Sequence, residues 1–113
     1  MRRMRDTAEL TEGRAEKMAK HNLFETARFF ADVYVLRPGQ AQARHRHGGE
    51  DKCYFVLSGR GTVTSGADTF AVTSGQIVCC PAGEDHGVTN DDPDEDLRLL
   101  VFMAPHPRPD ALP

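Results

Sequence analysis

The chain lacks the features that mark several large classes of protein. It has no apolar run of the roughly 18 residues that a membrane-spanning helix needs. Its net charge of -3 does not indicate a general nucleic-acid binder, which carries an excess of basic residues. The basic start from Met1 to Arg5 is not followed by the apolar segment of a signal peptide. We therefore expect a cytoplasmic protein with neither a nucleic-acid nor a membrane partner.

Cysteine is also scarce, and its pattern is not that of a metal or disulfide framework. The three residues, Cys53, Cys79 and Cys80, are odd in number and lack the Cys-x2-Cys spacing of zinc and redox sites. Cys79 and Cys80 adjoin on a predicted strand, so we expect their side chains to face opposite sides. We interpret all three as small buried hydrophobic residues. The alternative, a thiol ligand or nucleophile, requires surroundings that stabilise a thiolate.

The length of 113 residues predicts one domain with a modest core, which a dimer would help to stabilise. No long amphipathic helix and no strong internal repeat is apparent. We predict an N-terminal arm over residues 1–27, a barrel over 28–104 and a proline-rich tail, extended or disordered, over 105–113. Within the arm, the segment Thr7–Lys20 is rich in Ala, Glu and Lys and predicts a short helix or an irregular stretch.

Short apolar runs separated by glycine-containing turns predict seven or eight strands after the arm. The predicted strands are Arg28–Leu36, Ala43–His47, Cys53–Leu57, Thr62–Ser65, Thr69–Thr73, Gln76–Cys80, Gly87–Asn90 and Leu97–Met103. Such a series, with turns about every 8–12 residues, is typical of an all-β sandwich or barrel. The acidic segment Asp91–Asp96 is interpreted as a solvated turn.

Two histidines on one predicted strand are candidate metal ligands. His45 and His47 are two residues apart, so on a strand they point to the same side. Two imidazoles on one face, joined by a third from another strand, make most of a metal site. Arg44 and Arg46 alternate with them. This pattern fits either a basic surface or a strand with one face exposed to solvent and the other directed toward the metal site.

The spacing of two motifs resembles that of the cupin superfamily, in particular its small single-domain members. The first motif is matched at Gly39, His45, His47 and Gly59, and the second at Gly75, Pro81, Gly83, His86 and Asn90. Several anchor positions at fixed spacing are a stronger signal than one short motif. The resemblance covers roughly residues 28–103. It implies a double-stranded β-helix, or jelly-roll barrel, with one divalent transition metal held by His45, His47 and His86.

The glutamate that usually completes the first cupin motif is missing. Counting back from Gly59 places it at Lys52, and counting forward from His47 gives Asp51. Glu50 is a weaker candidate for the same position. An ammonium group that faces a metal cation is unfavourable unless it loses its proton. The identity of the fourth metal ligand is therefore open.

Two backbone geometries are possible at this point. A regular strand turns Lys52, Tyr54 and Val56 inward, and leaves three histidines and water as ligands. A one-residue bulge turns Asp51 inward instead, as a carboxylate ligand. We favour the first geometry. Gln42 is a further candidate ligand, but strand alternation from His45 predicts that it lies on the other face.

A site of this kind leaves coordination positions open for water, O₂ or a substrate. It suits iron, manganese, nickel, copper or zinc. The first hypothesis is a mononuclear metalloenzyme that acts on a small organic molecule, with oxygenase-type chemistry preferred to that of an isomerase or lyase. Tyr54 or Lys52 would then serve as acid or base. The alternative is a non-catalytic module that binds or senses a metal or small ligand, which the missing glutamate favours.

Two further expectations concern the pocket wall and the oligomer. The residues that offer an apolar lining or core are Tyr54, Phe55, Val56, Phe70, Ile77 and Phe102. The resemblance also implies a homodimer, because the arm and the strand Arg28–Leu36 are typical of the parts that pair between protomers in small cupins. A dimer would cover exposed strand edges.

Overall fold

Nine strands in residues 2–46 and 48–107, the part of the chain described by the computed structural model, form two antiparallel sheets. The strands are β1 (Ala19–Glu25), β2 (Phe30–Leu36), β3 (Ala41–Arg46), β4 (Asp51–Ser58), β5 (Arg60–Ser65), β6 (Asp68–Thr73), β7 (Ile77–Cys80), β8 (Asp85–Thr89) and β9 (Leu97–Ala104). One sheet has the order β1-β2-β9-β4-β7 and the other the order β3-β8-β5-β6. The predicted all-β jelly-roll barrel is confirmed, and the eight predicted strands correspond to β2–β9.

The strand β1 was not predicted, and it lies inside the range assigned to the arm. Its pairing with β2 shifts register between Asn22 and Phe24, so the alternation of apolar and polar residues that marks a strand is broken there. The segment before it is largely irregular. Its one short helix is the 3-10 turn Thr7–Glu9, so the irregular alternative describes this segment better than the helical one.

Side chains from β9 and from the turn between β2 and β3 hold the irregular arm in place. Arg98 Nε donates to the carbonyl oxygen of Leu10 at 3.2 Å, and Gln40 Nε2 donates to that of Arg14 at 2.7 Å. These bonds satisfy carbonyl groups that lie outside the sheet ladders. The arm therefore lies as a fixed layer against the barrel. No helix in the described ranges is long and apolar enough to cross a membrane.

The main core lies between the two sheets. It consists of buried side chains from both sheets: Tyr34, Leu36, Tyr54, Val56, Val63, Val72, Val78, Cys80, Val88, Leu97, Leu99 and Val101. A second cluster on the outer face of β2, built on Val33 and Val35, packs against Leu10 of the arm. Both faces of β2 are thus buried, which explains why its sequence is a nearly continuous apolar run.

Four of the six residues expected to line or fill the interior lie elsewhere. Phe70, Ile77 and Phe102 are exposed, and Phe55 is half-buried on the outward face of β4. Strand alternation accounts for β4, because the inward positions are those of Tyr54 and its neighbours two residues away. Only Tyr54 and Val56 of the predicted set belong to the core.

Candidate metal and ligand site

Two of the three predicted metal ligands meet across neighbouring strands. His45 on β3 lies directly opposite His86 on β8 in the strand register. Their ring centroids are 4.4 Å apart, with the ring planes at 64°. His86 is buried and His45 is half-buried. The His45–His86 pair therefore occupies the end of the barrel interior, with one ring enclosed and one nearer to solvent.

The hydrogen bonding of His45 suits a metal ligand. Its Nδ1 lies 2.8 Å from the carbonyl oxygen of Ala43. A carbonyl only accepts, so Nδ1 carries the proton and the lone pair of the neutral ring lies on Nε2. A backbone carbonyl is a usual partner for the non-ligating nitrogen of a metal-bound histidine. The hydrogen bonding of His45 therefore fits the role of metal ligand that the motif implies for it.

The third predicted ligand, His47, lies outside the described residues. Within residues 2–46 and 48–107, no group of three or more His, Cys, Asp or Glu side chains is placed to hold a metal. The His45–His86 pair supplies two imidazoles, and ligation by His47 stays a prediction.

A β-bulge places Gln42 on the same side of β3 as His45. The pairing of β3 with β8 shifts register between these two residues. Both are half-buried, whereas Ala43 and Arg44 between them are exposed. The prediction that Gln42 faces away from His45 is therefore wrong, because it assumed unbroken alternation. Gly87 faces the bulge, and a Cβ there would lie only 2.9 Å from the Gln42 carbonyl oxygen.

Strand β4 is regular around Lys52 and has no bulge that would turn Asp51 inward. Lys52 and Tyr54 point inward and are buried, and the pairing of β4 with β9 is regular from Asp51 to Val56. Asp51 is exposed, and its Oδ1 accepts a hydrogen bond from the backbone N–H of Ala82 at 2.9 Å. The structure thus brings Lys52 and Tyr54 into the interior and leaves Asp51 on the outer face, where it caps a turn.

The Gln42 side chain joins the inward residues of β4 into one polar cluster. Its Oε1 accepts hydrogen bonds from Tyr54 Oη at 2.6 Å and from Lys52 Nζ at 3.2 Å. The Lys52 Nζ also lies 5.2 Å from the centroid of the Tyr34 ring and 5.1 Å from that of the Tyr54 ring. The Tyr54 ring is 6.2 Å from the His86 ring. The cluster therefore adjoins the His45–His86 pair.

Burial sets the protonation of this cluster. It lowers the pKa of Lys52 from 10.5 to about 8, and the nearby charge of Lys20 acts in the same direction. Cys80 and Asp32 oppose the shift. Burial raises the pKa of Tyr54, so its phenol stays a proton donor. The cluster combines a weakened ammonium with a protonated phenol.

A groove of about 790 Å³ leads to this cluster. Its walls are residues 12–14 and 17–21 of the arm and β1, and residues 41–43 and 45 of β3. We call it the arm groove. It carries the cationic side chains of Arg14, Lys17 and Lys20, against one carboxylate, that of Glu12. Gln42 lies where the arm groove meets the buried cluster. The charge of the groove favours an anionic ligand.

Comparison with known sequences agrees with this architecture. The Cupin domain family profile matches residues 32–103 of the chain. An uncharacterized protein of Streptomyces coelicolor is 38% identical over 73 residues, which is 65% of this chain and 67% of that protein. A protein of Thermotoga maritima named oxalate-binding protein is 29% identical over 89 residues, which is 79% of this chain and 72% of that protein.

Comparison with solved structures gives the same result. The crystal structure of TT1209 from Thermus thermophilus superposes with a TM-score of 0.88 at 39% sequence identity. The match covers 92% of this chain and 98% of that one. Together with the family profile, which spans most of the barrel, it establishes that the chain belongs to the cupin superfamily as one of its small single-domain members.

Proposed function

We propose that the barrel binds a small carboxylate-bearing molecule beside a divalent transition metal held by His45, His47 and His86. The observation that carries the proposal is the His45–His86 pair, whose rings lie 4.4 Å apart, with His45 in the wall of a cationic groove. Imidazole ligands suit iron, manganese, nickel, copper or zinc. Such a metal, when bound, supplies a Lewis acid that polarises an oxygen of the ligand.

The charge around the site supports an anionic ligand. Lys52 occupies the position where the cupin motif usually has a glutamate, so the interior gains a cationic group in place of a carboxylate. Arg14, Lys17 and Lys20 add positive charge along the arm groove. A carboxylate brought by the ligand offsets both the metal and the buried amine. The relative named oxalate-binding protein agrees with this ligand class.

The test measures metal and ligand separately. Untagged protein is loaded with each metal in turn, its metal content is determined, and oxalate binding is followed by calorimetry. We expect stoichiometric metal and saturable oxalate binding, with loss of both in His86→Ala. His106→Ala is the matched control, since His106 is not a predicted ligand and contacts Glu25 at 2.7 Å. Absence of metal and of oxalate binding after loading would overturn the proposal.

A metalloenzyme is the second candidate, with oxygenase-type chemistry. It is favoured by the convergence of Tyr54 Oη and Lys52 Nζ on one oxygen beside the His45–His86 pair, since both groups can transfer protons. Metal-dependent O₂ consumption on a panel of catechols, diketones and flavonoids supports this candidate. Tight ligand binding with no turnover on any of them favours a binding or sensing module.

We also propose a homodimer formed through the outer face of the five-stranded sheet. Phe29, Ile77 and Phe102 are exposed there, and an apolar groove of about 310 Å³ includes Phe29, Leu100 and Phe102. Burying such a patch against a second copy removes apolar surface from water. Light scattering after gel filtration should give twice the chain mass, and Phe102→Asp should give the monomer. A monomeric wild type would contradict the proposal.

A further inference from the structure

We propose that Lys52 forms an imine with a small carbonyl-bearing anion, of the 2-oxo acid class, that enters through the arm groove. The proposal deepens the proposed function and rests on it for the place where the ligand binds. It adds a reactive group and narrows the ligand from carboxylates in general to those with an adjacent carbonyl.

The surroundings of Lys52 differ from those of a structural buried lysine. Its side chain is 1% exposed, yet among the described residues no carboxylate forms an ion pair with it. Buried ammonium groups are ordinarily paired with an acid. The contacts of Nζ are instead the aromatic rings of Tyr34 and Tyr54 and the amide oxygen of Gln42. Aromatic rings and an amide oxygen stabilise an ammonium less than a paired carboxylate does.

The lowered pKa of the buried Lys52 supports the same conclusion. With a pKa lowered to about 8, roughly a tenth of the Lys52 side chains carry a neutral amine at pH 7. The groups that act on this equilibrium are Lys20, Cys80 and Asp32. A neutral, desolvated lysine amine is the nucleophile that adds to carbonyl carbons.

Gln42 shows how a ligand carbonyl would be held. Its side-chain carbonyl oxygen accepts from Tyr54 Oη and from Lys52 Nζ. It also forms part of the wall of the arm groove, so it separates Lys52 from the entering ligand. A ligand carbonyl that displaces this amide meets the same two donors. Its oxygen is then polarised by the phenol, and its carbon lies next to the amine.

The cations of the arm groove orient the other end of such a ligand. Lys20 Nζ lies 5.3 Å from the Tyr34 ring centroid, and Lys52 Nζ lies 5.2 Å from the same centroid. A small molecule beside Tyr34 can therefore place a carboxylate against Lys20 while its carbonyl reaches Lys52. A small ligand with a carboxylate close to its carbonyl, such as a 2-oxo acid, suits this arrangement.

The chemical step needs no oxidant or reductant. The Nζ lone pair forms a bond to the carbonyl carbon, and the carbonyl oxygen takes a proton from Tyr54 Oη. The nitrogen gives up a proton, which restores the phenol. The nitrogen lone pair then forms the C=N bond as the C–O bond breaks, and the leaving hydroxyl takes the proton of Tyr54 Oη and departs as water. The iminium nitrogen returns its proton to the Tyr54 phenolate, which leaves a neutral imine. The net change is amine plus carbonyl to imine plus water.

Reductive trapping tests the proposal on the wild-type full chain. The protein is incubated with glyoxylate and sodium cyanoborohydride, and peptide mass mapping measures the modified fraction of Lys17, Lys20 and Lys52. We expect Lys52 to be modified about tenfold more than either of the others. Oxalate, which has no reactive carbonyl, should suppress the modification by competition. Protein unfolded in urea is the reference, in which the three lysines should react alike.

Two variants sharpen the result. Lys52→Arg keeps the charge and should abolish the adduct at position 52. Tyr54→Phe should slow adduct formation at Lys52, because the phenol no longer donates a proton to the carbonyl oxygen. Circular dichroism checks that each variant is folded. Modification of Lys17 and Lys20 with Lys52 unmodified in the folded wild type overturns the proposal, whatever the variants do.

The same reaction separates this proposal from the metal site. It is repeated on protein stripped with a chelator. An adduct at Lys52 without bound metal supports the imine even if the metal proposal fails. Metal and oxalate binding with no adduct at Lys52 overturns the imine alone.

Discussion

Strand β4 presents Lys52 and Tyr54 to the barrel interior and Asp51 and Cys53 to its outer surface. The ammonium of Lys52 loses most of its water and its pKa falls. Asp51, one residue away, remains exposed and caps a turn. Strand β7 repeats the contrast: Cys80 is buried and burial raises its pKa, whereas Cys79 is exposed. In these two pairs, the face that a residue occupies decides whether its side chain is buried or exposed.

The largest difference between the two faces should appear in stability. We expect Tyr54→Ala to lower the free energy of unfolding by about 3–5 kcal/mol, because it removes a fully buried ring and leaves a cavity. Phe55→Ala, on the outer face, should cost about 1–2 kcal/mol, because its ring is half-buried. Urea denaturation measures both. Equal losses would show that β4 does not divide the two environments.

The second-largest effect is a pH dependence of the stability, which comes from Lys52 on the inner face. Its folded pKa lies near 8 and its unfolded value near 10.5, so the unfolded state binds more protons between these values. Stability attributable to Lys52 should therefore rise with pH across this window, by roughly 3 kcal/mol in total. Below pH 8 both states are protonated and the full cost of burial remains.

The measurement is the difference between wild type and Lys52→Met in urea denaturation at a series of pH values. Subtraction removes the opposite trend from Tyr34 and Tyr54, whose raised pKa values make stability fall as pH rises past their unfolded values. A difference that stays flat from pH 8 to 10.5 would contradict the prediction.

A smaller effect is expected when the glutamate of the motif is restored. Lys52→Glu places a carboxylate on the inner face beside the His45–His86 pair, and we expect about tenfold tighter metal binding. Asp51→Glu is the matched change on the outer face and should leave metal binding unaltered. Metal titration of both variants decides the matter. A gain in Asp51→Glu would mean that the outer face reaches the metal.

The smallest effect concerns the outer face alone. Asp51→Asn keeps an acceptor for the Ala82 N–H but removes the charge, and it should cost less than about 1 kcal/mol. Thermal unfolding of the variant measures this. A larger loss would show that Asp51 supports more than the turn that it caps.

Prediction from the sequence succeeded where strands are regular. Alternation along β4 predicted Lys52 and Tyr54 as inward residues, and the motif spacing predicted the elements that bring His45 and His86 together. It failed at irregularities of register. The bulge after Gln42 reversed the expected face of that residue, and the shift at Asn22 concealed β1. A bulge depends on the partner strand, which a single sequence does not display.

The bulge in β3 also determines how this chain should be aligned with its relatives. Gln42 lies three positions before His45 yet shares its face. In a relative whose strand is regular, the residue on that face lies two positions before the corresponding histidine. An alignment without a gap therefore sets Gln42 against a residue of the opposite face. The counterpart of the amide that covers Lys52 is found only when one residue of β3 is treated as an insertion.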